Sequence, residues 1–133
     1  MELSKREQAL LASWDKDTSS DPDNWTKENP AWGQCAVTAL IVNDYLSGKL
    51  VWANALLPDE RSISHYFNNV NGNEIDFTRR QFPKGVVITK GEDKLKGFST
   101  TRDYVLSFEQ TRTRYEALKE RVKANLPNPR KSL

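Results

Sequence analysis

The sequence predicts an α+β fold in which one buried helix packs on an antiparallel sheet. Three observations carry this expectation. The run CAVTALIVNDYL, Cys35 to Leu46, is apolar on nearly every side, the pattern of a helix buried all round. The strand-like runs SISHYFNNV and NEIDFT flank Asn71-Gly72, and Asn-Gly between such runs is the strongest short-range hairpin signal. After Thr101 helical spacing returns, with Tyr115, Leu118 and Val122 on one face and Arg and Lys opposite.

The other elements follow in order. Ser4 and Glu7 have the spacing of a capping box, with Leu3 outside it as half of a hydrophobic staple. Leu10, Leu11 and Trp14 then share one helical face, and this helix should end near Trp14. DKDTSSDPDNW is a polar loop, and Pro30 closes the linker that follows. Gly33 is the expected N-cap of the buried helix and Gly48 its C′ residue. KLVWANAL and KGVVIT are further strands, with a break at Pro58-Asp59 and a charged turn in KGEDKLKGF. The expected sheet therefore has three to five strands, covered by the first and last helices.

Length and composition bound the function. With 133 residues the chain is about one ordinary domain, large enough to bury a core without staples. Residues 1–27 form the first helix and loop, 28–90 the core, 91–126 the C-terminal helical part and 127–133 a tail. Apolar residues make up 37% and charged residues 29%, a globular mix. The longest apolar stretch is too short to span a bilayer, and the charged, amphipathic N-terminus lacks the apolar centre of a signal peptide. The net charge of +2 does not mark a nucleic-acid binder. One cysteine cannot make an intramolecular disulfide, so a cytoplasmic location is expected. One His and one Cys fall short of a four-ligand set, so neither a metal nor another cofactor is expected.

That single cysteine opens the buried helix, and the single histidine lies in the first strand of the hairpin. A two-residue Asn71-Gly72 loop sets Val70 opposite Asn73, Phe67 opposite Asp76 and His65 opposite Thr78. His65 and Asp76 then become diagonal neighbours on one face, roughly 7 Å apart between backbones. A four-residue loop preserves this pairing, whereas a three-residue loop sends Asp76 to the other face. A carboxylate fixes the tautomer of an imidazole and frees its other nitrogen to act as a base. A helix N-terminus and a nearby imidazolium both favour thiolate. Cys35, His65 and Asp76 thus have the chemistry of an activated thiol. The plainer alternatives are an inert packing cysteine, a half-buried hydrogen-bonded histidine, and an Asp76 paired with Arg79 or Arg80.

A thiol at the start of a buried helix, then His on one strand and Asp on the next, resembles the papain-like cysteine hydrolase superfamily. That group includes bacteriocin-processing peptidases, transglutaminase-like proteins and arylamine acetyltransferases. The series NPAWGQCAVTALIVNDYLSG, SHYFN, GNEIDFTRRQF and TRTRYEALKERV is similar to small bacterial proteins of the YunG-like family, over roughly residues 28–82 and 102–122. The wider resemblance implies a papain-like fold and nucleophilic acyl chemistry on a peptide or small-molecule amide or thioester, with Cys35, His65 and Asp76 as the triad. Papain-like enzymes often carry a side-chain amide six residues before the thiol to bind the oxyanion. Asn29 stands there, where Gln is usual, and Gln34 is a second candidate. The Cys35 backbone N–H is an oxyanion donor in either case.

Trp32, Gly33 and Tyr66 are candidates to line a substrate cleft. Gly33 would let a substrate backbone approach closely, while Trp32 could equally be a core anchor. Arg79 and Arg80 either bind an acidic substrate or stay solvated, and Arg112, Arg114, Lys119, Arg121 and Lys123 read as the wet face of the last helix. Two other functions stay open. One is a non-catalytic member of the same fold that binds a protein or small ligand through the cleft. The other is a basic module using the last helix on RNA or DNA. Neither nucleic acid nor membrane is the expected partner.

Overall fold

A computed structural model describes residues 2–126 of the chain, with side chains from Lys5 onward. Helix α1 (Glu2–Ser13) is followed by two single 3₁₀ turns, Lys16–Thr18 and Pro22–Asn24, and then by α2 (Cys35–Leu46). Strands β1 (Lys49–Leu56), β2 (Ser62–Val70) and β3 (Asn73–Ile75) come next, then a 3₁₀ turn at Arg79–Gln81 and β4 (Val87–Ile88). Helices α3 (Thr101–Leu106) and α4 (Glu109–Asn125) complete the fold. All strand pairs are antiparallel, in the order β3-β2-β1-β4. The architecture is α+β, with α2 against a four-stranded sheet.

Helix α2 is buried because its sequence leaves it no polar stripe. Val37 through Val42 are all buried, and Leu40 and Ile41 sit in one apolar cluster with Leu10, Trp14, Leu50, Leu118 and Val122. Two polar contacts fix its placement. Trp14 Nε1 donates to Thr38 Oγ1 at 2.9 Å, tying the end of α1 to α2. Asn68 Nδ2 donates to the Ala39 carbonyl at 2.9 Å, tying β2 to α2. A buried amide must find such a partner, so these bonds select one packing of helix on sheet.

The Asn71-Gly72 turn has the expected geometry. Both residues have positive φ, 55° and 87°, as the two-residue hairpin turn requires, and Val70 pairs with Asn73. Strand alternation then divides the sheet. Leu50 and Tyr66 pack with the α2 cluster, whereas Val51, Ala53 and Phe67 form a second cluster on the other face. Phe82, Ala55 and Leu57, with Trp32 against them, form a third.

Four expectations need correction. The strand over NEIDFT stops at Ile75, because the Asp76 carboxylate accepts a bond from the Thr78 backbone N–H at 3.2 Å and turns the chain out of the ladder. The pairings of Phe67 with Asp76 and His65 with Thr78 are therefore absent from the ladder. The first and last helices do not cover the sheet directly: α1 and α4 pack on each other and α4 packs on α2, while α2 and α3 contact the strands. The N-cap of α2 is Gln34 rather than Gly33. Helix α1 already runs from Glu2, so Ser4 lies inside it. The Leu3 side chain of the expected staple, the Ser4 side chain of the expected capping box, and the tail at 127–133 lie outside the described residues.

Candidate active site

Cys35 is the first residue of α2, partly exposed, and in no disulfide. Gln34 makes no side-chain cap, so no capping side chain covers the first-turn N–H groups. The preceding loop is tightly held. Ser19 Oγ donates to the Trp32 carbonyl at 2.7 Å, and the Ser20 N–H donates to the Gly33 carbonyl at 2.9 Å. Gly33 has φ +75°, and a Cβ there would stand 2.2 Å from Ser19 Oγ. Its bare Cα therefore faces the 19–21 segment of the chain itself, not open space for a substrate.

His65 projects from the middle of β2 and is fully buried. Its ring stacks on Phe67 at 5.5 Å between centroids and meets Phe82 edge-on at 5.0 Å. Nε2–H donates to Asp76 Oδ2 at 2.6 Å. The other oxygen, Oδ1, accepts from the backbone and hydroxyl of Thr78. The turn that ends β3 thus also orients the carboxylate. With Nε2 occupied, Nδ1 is the free ring nitrogen, and it is buried with no hydrogen-bond partner.

Electrostatics link the three groups. Burial alone would depress the His65 pKa. The Asp76 carboxylate and the nearby Cys35 sulfur together outweigh it, so the pKa rises from 6.5 to about 9. Tyr66, half-buried on the α2 side of the sheet, has its pKa pushed up mainly by burial, with Tyr104 and Cys35 adding to it.

A profile of the YunG protein family matches residues 2–127. The chain belongs to the YunG family. It is 40% identical over 73 residues to "Uncharacterized protein YunG" of Bacillus subtilis (strain 168), a match covering 55% of this chain and 56% of that protein. The chain spans about half the length of this curated relative. No solved structure matches significantly.

In this YunG-family chain the two amides singled out from sequence have structural partners. Asn29 Nδ2 donates to the Gln81 carbonyl at 2.9 Å. Gln34 is fully buried, and its Nε2 donates to the Asp15 carbonyl at 2.9 Å. Trp32 packs against the cluster containing Phe82, and its indole N–H donates to Asp21. Arg80 pairs with Glu7 at 2.6 Å, and Arg79 is exposed. No helix among the described residues is long and apolar enough to cross a membrane.

Two residues not picked from sequence enter the YunG-family site. Gln81 is buried; its Oε1 accepts from the Gly33 N–H at 3.1 Å, and its Nε2 is buried without a partner. The Gly33 contact fixes which end of the amide carries the oxygen. Gln81 therefore joins the loop before Cys35 to the turn after Asp76. Arg114, expected on the wet face of α4, is instead half-buried; burial lowers its guanidinium pKa, and the Cys35 sulfur works against that shift. Thr111 and Leu118 are buried three residues before and four after it, a spacing that places residue 114 at the edge of the buried stripe.

Proposed function

We propose that this protein is a cysteine-dependent hydrolase or acyltransferase acting on an amide or thioester. The observation that carries the reading is the His65–Asp76 hydrogen bond, which leaves Nδ1 for the Cys35 thiol at the start of α2. In this reading His65 takes the thiol proton, and the sulfur attacks the substrate carbonyl carbon, forming an S–C bond. The carbonyl oxygen becomes an oxyanion, met by the Cys35 backbone N–H at the helix start. The tetrahedral intermediate collapses, the bond to the leaving amine or thiolate breaks, and the imidazolium returns its proton to the leaving group. Water or an acceptor amine then attacks the thioester with His65 as base, regenerating the thiol. Asp76 holds the ring in the required tautomer throughout. The order helix thiol, strand imidazole, carboxylate also supports kinship with papain-like hydrolases.

The test is incubation with an activated aryl ester, followed by intact-mass spectrometry. The reading predicts an acyl adduct on Cys35 and release of the acid. Both should be lost in Cys35→Ser, and the rate should fall at least about a hundredfold in His65→Ala.

One observation favours a second reading, a non-catalytic protein that binds a partner at the same place: His65 is fully buried between two phenyl rings. Absence of any acyl adduct on the folded protein would select it.

A further inference from the structure

An open groove of about 750 Å³ runs between the 16–22 segment and the start of α4. Its lining includes Ser19, Ser20, Thr113 and Arg114. Ser19 and Ser20 are the residues that bind the Trp32 and Gly33 carbonyls, so this wall of the groove is continuous with the loop entering Cys35. Helix α4, which carries Thr113 and Arg114, also packs on α2.

Arg114 is a half-buried guanidinium with no carboxylate partner among the described residues. Its Nε is buried and unbonded, and its Nη2 reaches only the Thr111 hydroxyl, at 3.4 Å. The acidic groups of the groove are otherwise placed: Asp17 pairs with Arg121, and Glu109 is exposed and makes no ion pair with Arg114. Lys16 adds a second positive charge. A half-buried cation that lacks an internal anion is matched by a ligand anion, and a guanidinium binds carboxylate through paired N–H donors. Burial pulls the guanidinium pKa down, and the Cys35 sulfur only partly opposes this.

We propose that Arg114 is the anion-recognition residue of the Cys35 site, and that the acyl substrate carries a carboxylate close to its reacting carbonyl and enters along this groove. The inference rests on the reading of Cys35 as a nucleophile. It selects acidic peptides or small carboxylated amides and thioesters over neutral ones.

Iodoacetate and iodoacetamide test it without a known substrate. Both alkylate the same thiolate, so the ratio of their second-order rates cancels the thiolate fraction and reports on binding of the reagent's carboxylate. The ratio should fall about tenfold from wild type to Arg114→Gln, the size of one charge-assisted hydrogen bond. Arg114→Lys should be intermediate. If Arg114→Gln does not fold, added inorganic phosphate on wild type serves the same end: it should slow iodoacetate more than iodoacetamide. Equal ratios in wild type and variants, or equal slowing by phosphate, with rapid iodoacetamide labelling retained, would overturn the anion role alone. Slow labelling by both reagents until the protein unfolds would remove the nucleophile and, with it, this inference.

Discussion

His65 Nε2 and Asp76 Oδ2 meet at 2.6 Å across a hairpin whose ladder has already ended at Ile75. The contact does not come from strand pairing at Asp76 itself. It comes from the turn that the Asp76–Thr78 hydrogen bonds impose, which aims one carboxylate oxygen back at the ring. Replacing Asp76 by Ala leaves a buried imidazole nitrogen unpaired. The expected cost is about 1–3 kcal/mol, read as a lower urea midpoint. Labelling by an activity-based thiol probe should fall with it. Unchanged labelling would show that the carboxylate has no part in activating the thiol.

Stability should depend on pH through the same pair. The His65 pKa is about 9 in the folded chain and 6.5 as its ordinary value. Above pH 6.5 the unfolded chain releases a proton that the folded chain still holds. The stabilisation is therefore fully present below that pH and is lost as pH rises through about 9. The window corresponds to a loss on the order of 3 kcal/mol. Urea titrations from pH 6 to pH 10 should show this decline in wild type and a much flatter profile in His65→Gln.

Gly33→Ala should be strongly destabilising. The substitution puts a methyl group 2.2 Å from Ser19 Oγ and asks an L-residue to hold φ +75°. The loss should be about 2 kcal/mol or more. Because this loop leads into Cys35, thiol labelling of the folded fraction should change as well. A neutral effect on thermal midpoint would contradict the tight 19–33 contact.

Asn29→Ala separates a structural amide from an oxyanion donor. The Asn29 side chain holds the Gln81 carbonyl, so its removal should cost about 1 kcal/mol. The rate of Cys35 acylation, corrected for folded fraction, should stay within about threefold of wild type. A loss near a hundredfold is the signature of a missing oxyanion donor and would assign Asn29 that part.

Much of this molecule was legible in its sequence. The bounds of α2 follow from its dense apolar run, those of β1 and β2 from strand-like runs set between turn residues, and the Asn71-Gly72 turn fixes the register that brings β3 beside β2. What was not legible rests on single side chains competing with secondary structure. Asp76 ends β3 by bonding Thr78, and Ser107 closes α3 through its bonds to the Tyr104 carbonyl, so the C-terminal helical run is broken in two. Gln81 and Arg114 look like ordinary polar surface residues in a linear reading. Only the packing of the 79–82 turn on the Gly33 loop, and of α4 on α2, turns them inward.

The proposed chemistry requires that His65, oriented by Asp76, activate the Cys35 sulfur. The most direct measurement is the rate of iodoacetamide alkylation of folded protein across pH 5 to 10, in wild type and in His65→Ala. Wild type should label rapidly already near pH 6, where a free thiol of pKa about 8.5 is nearly unreactive, and the variant should lose that low-pH labelling. Identical profiles for the two proteins, rising only as an ordinary thiol ionises, would contradict it.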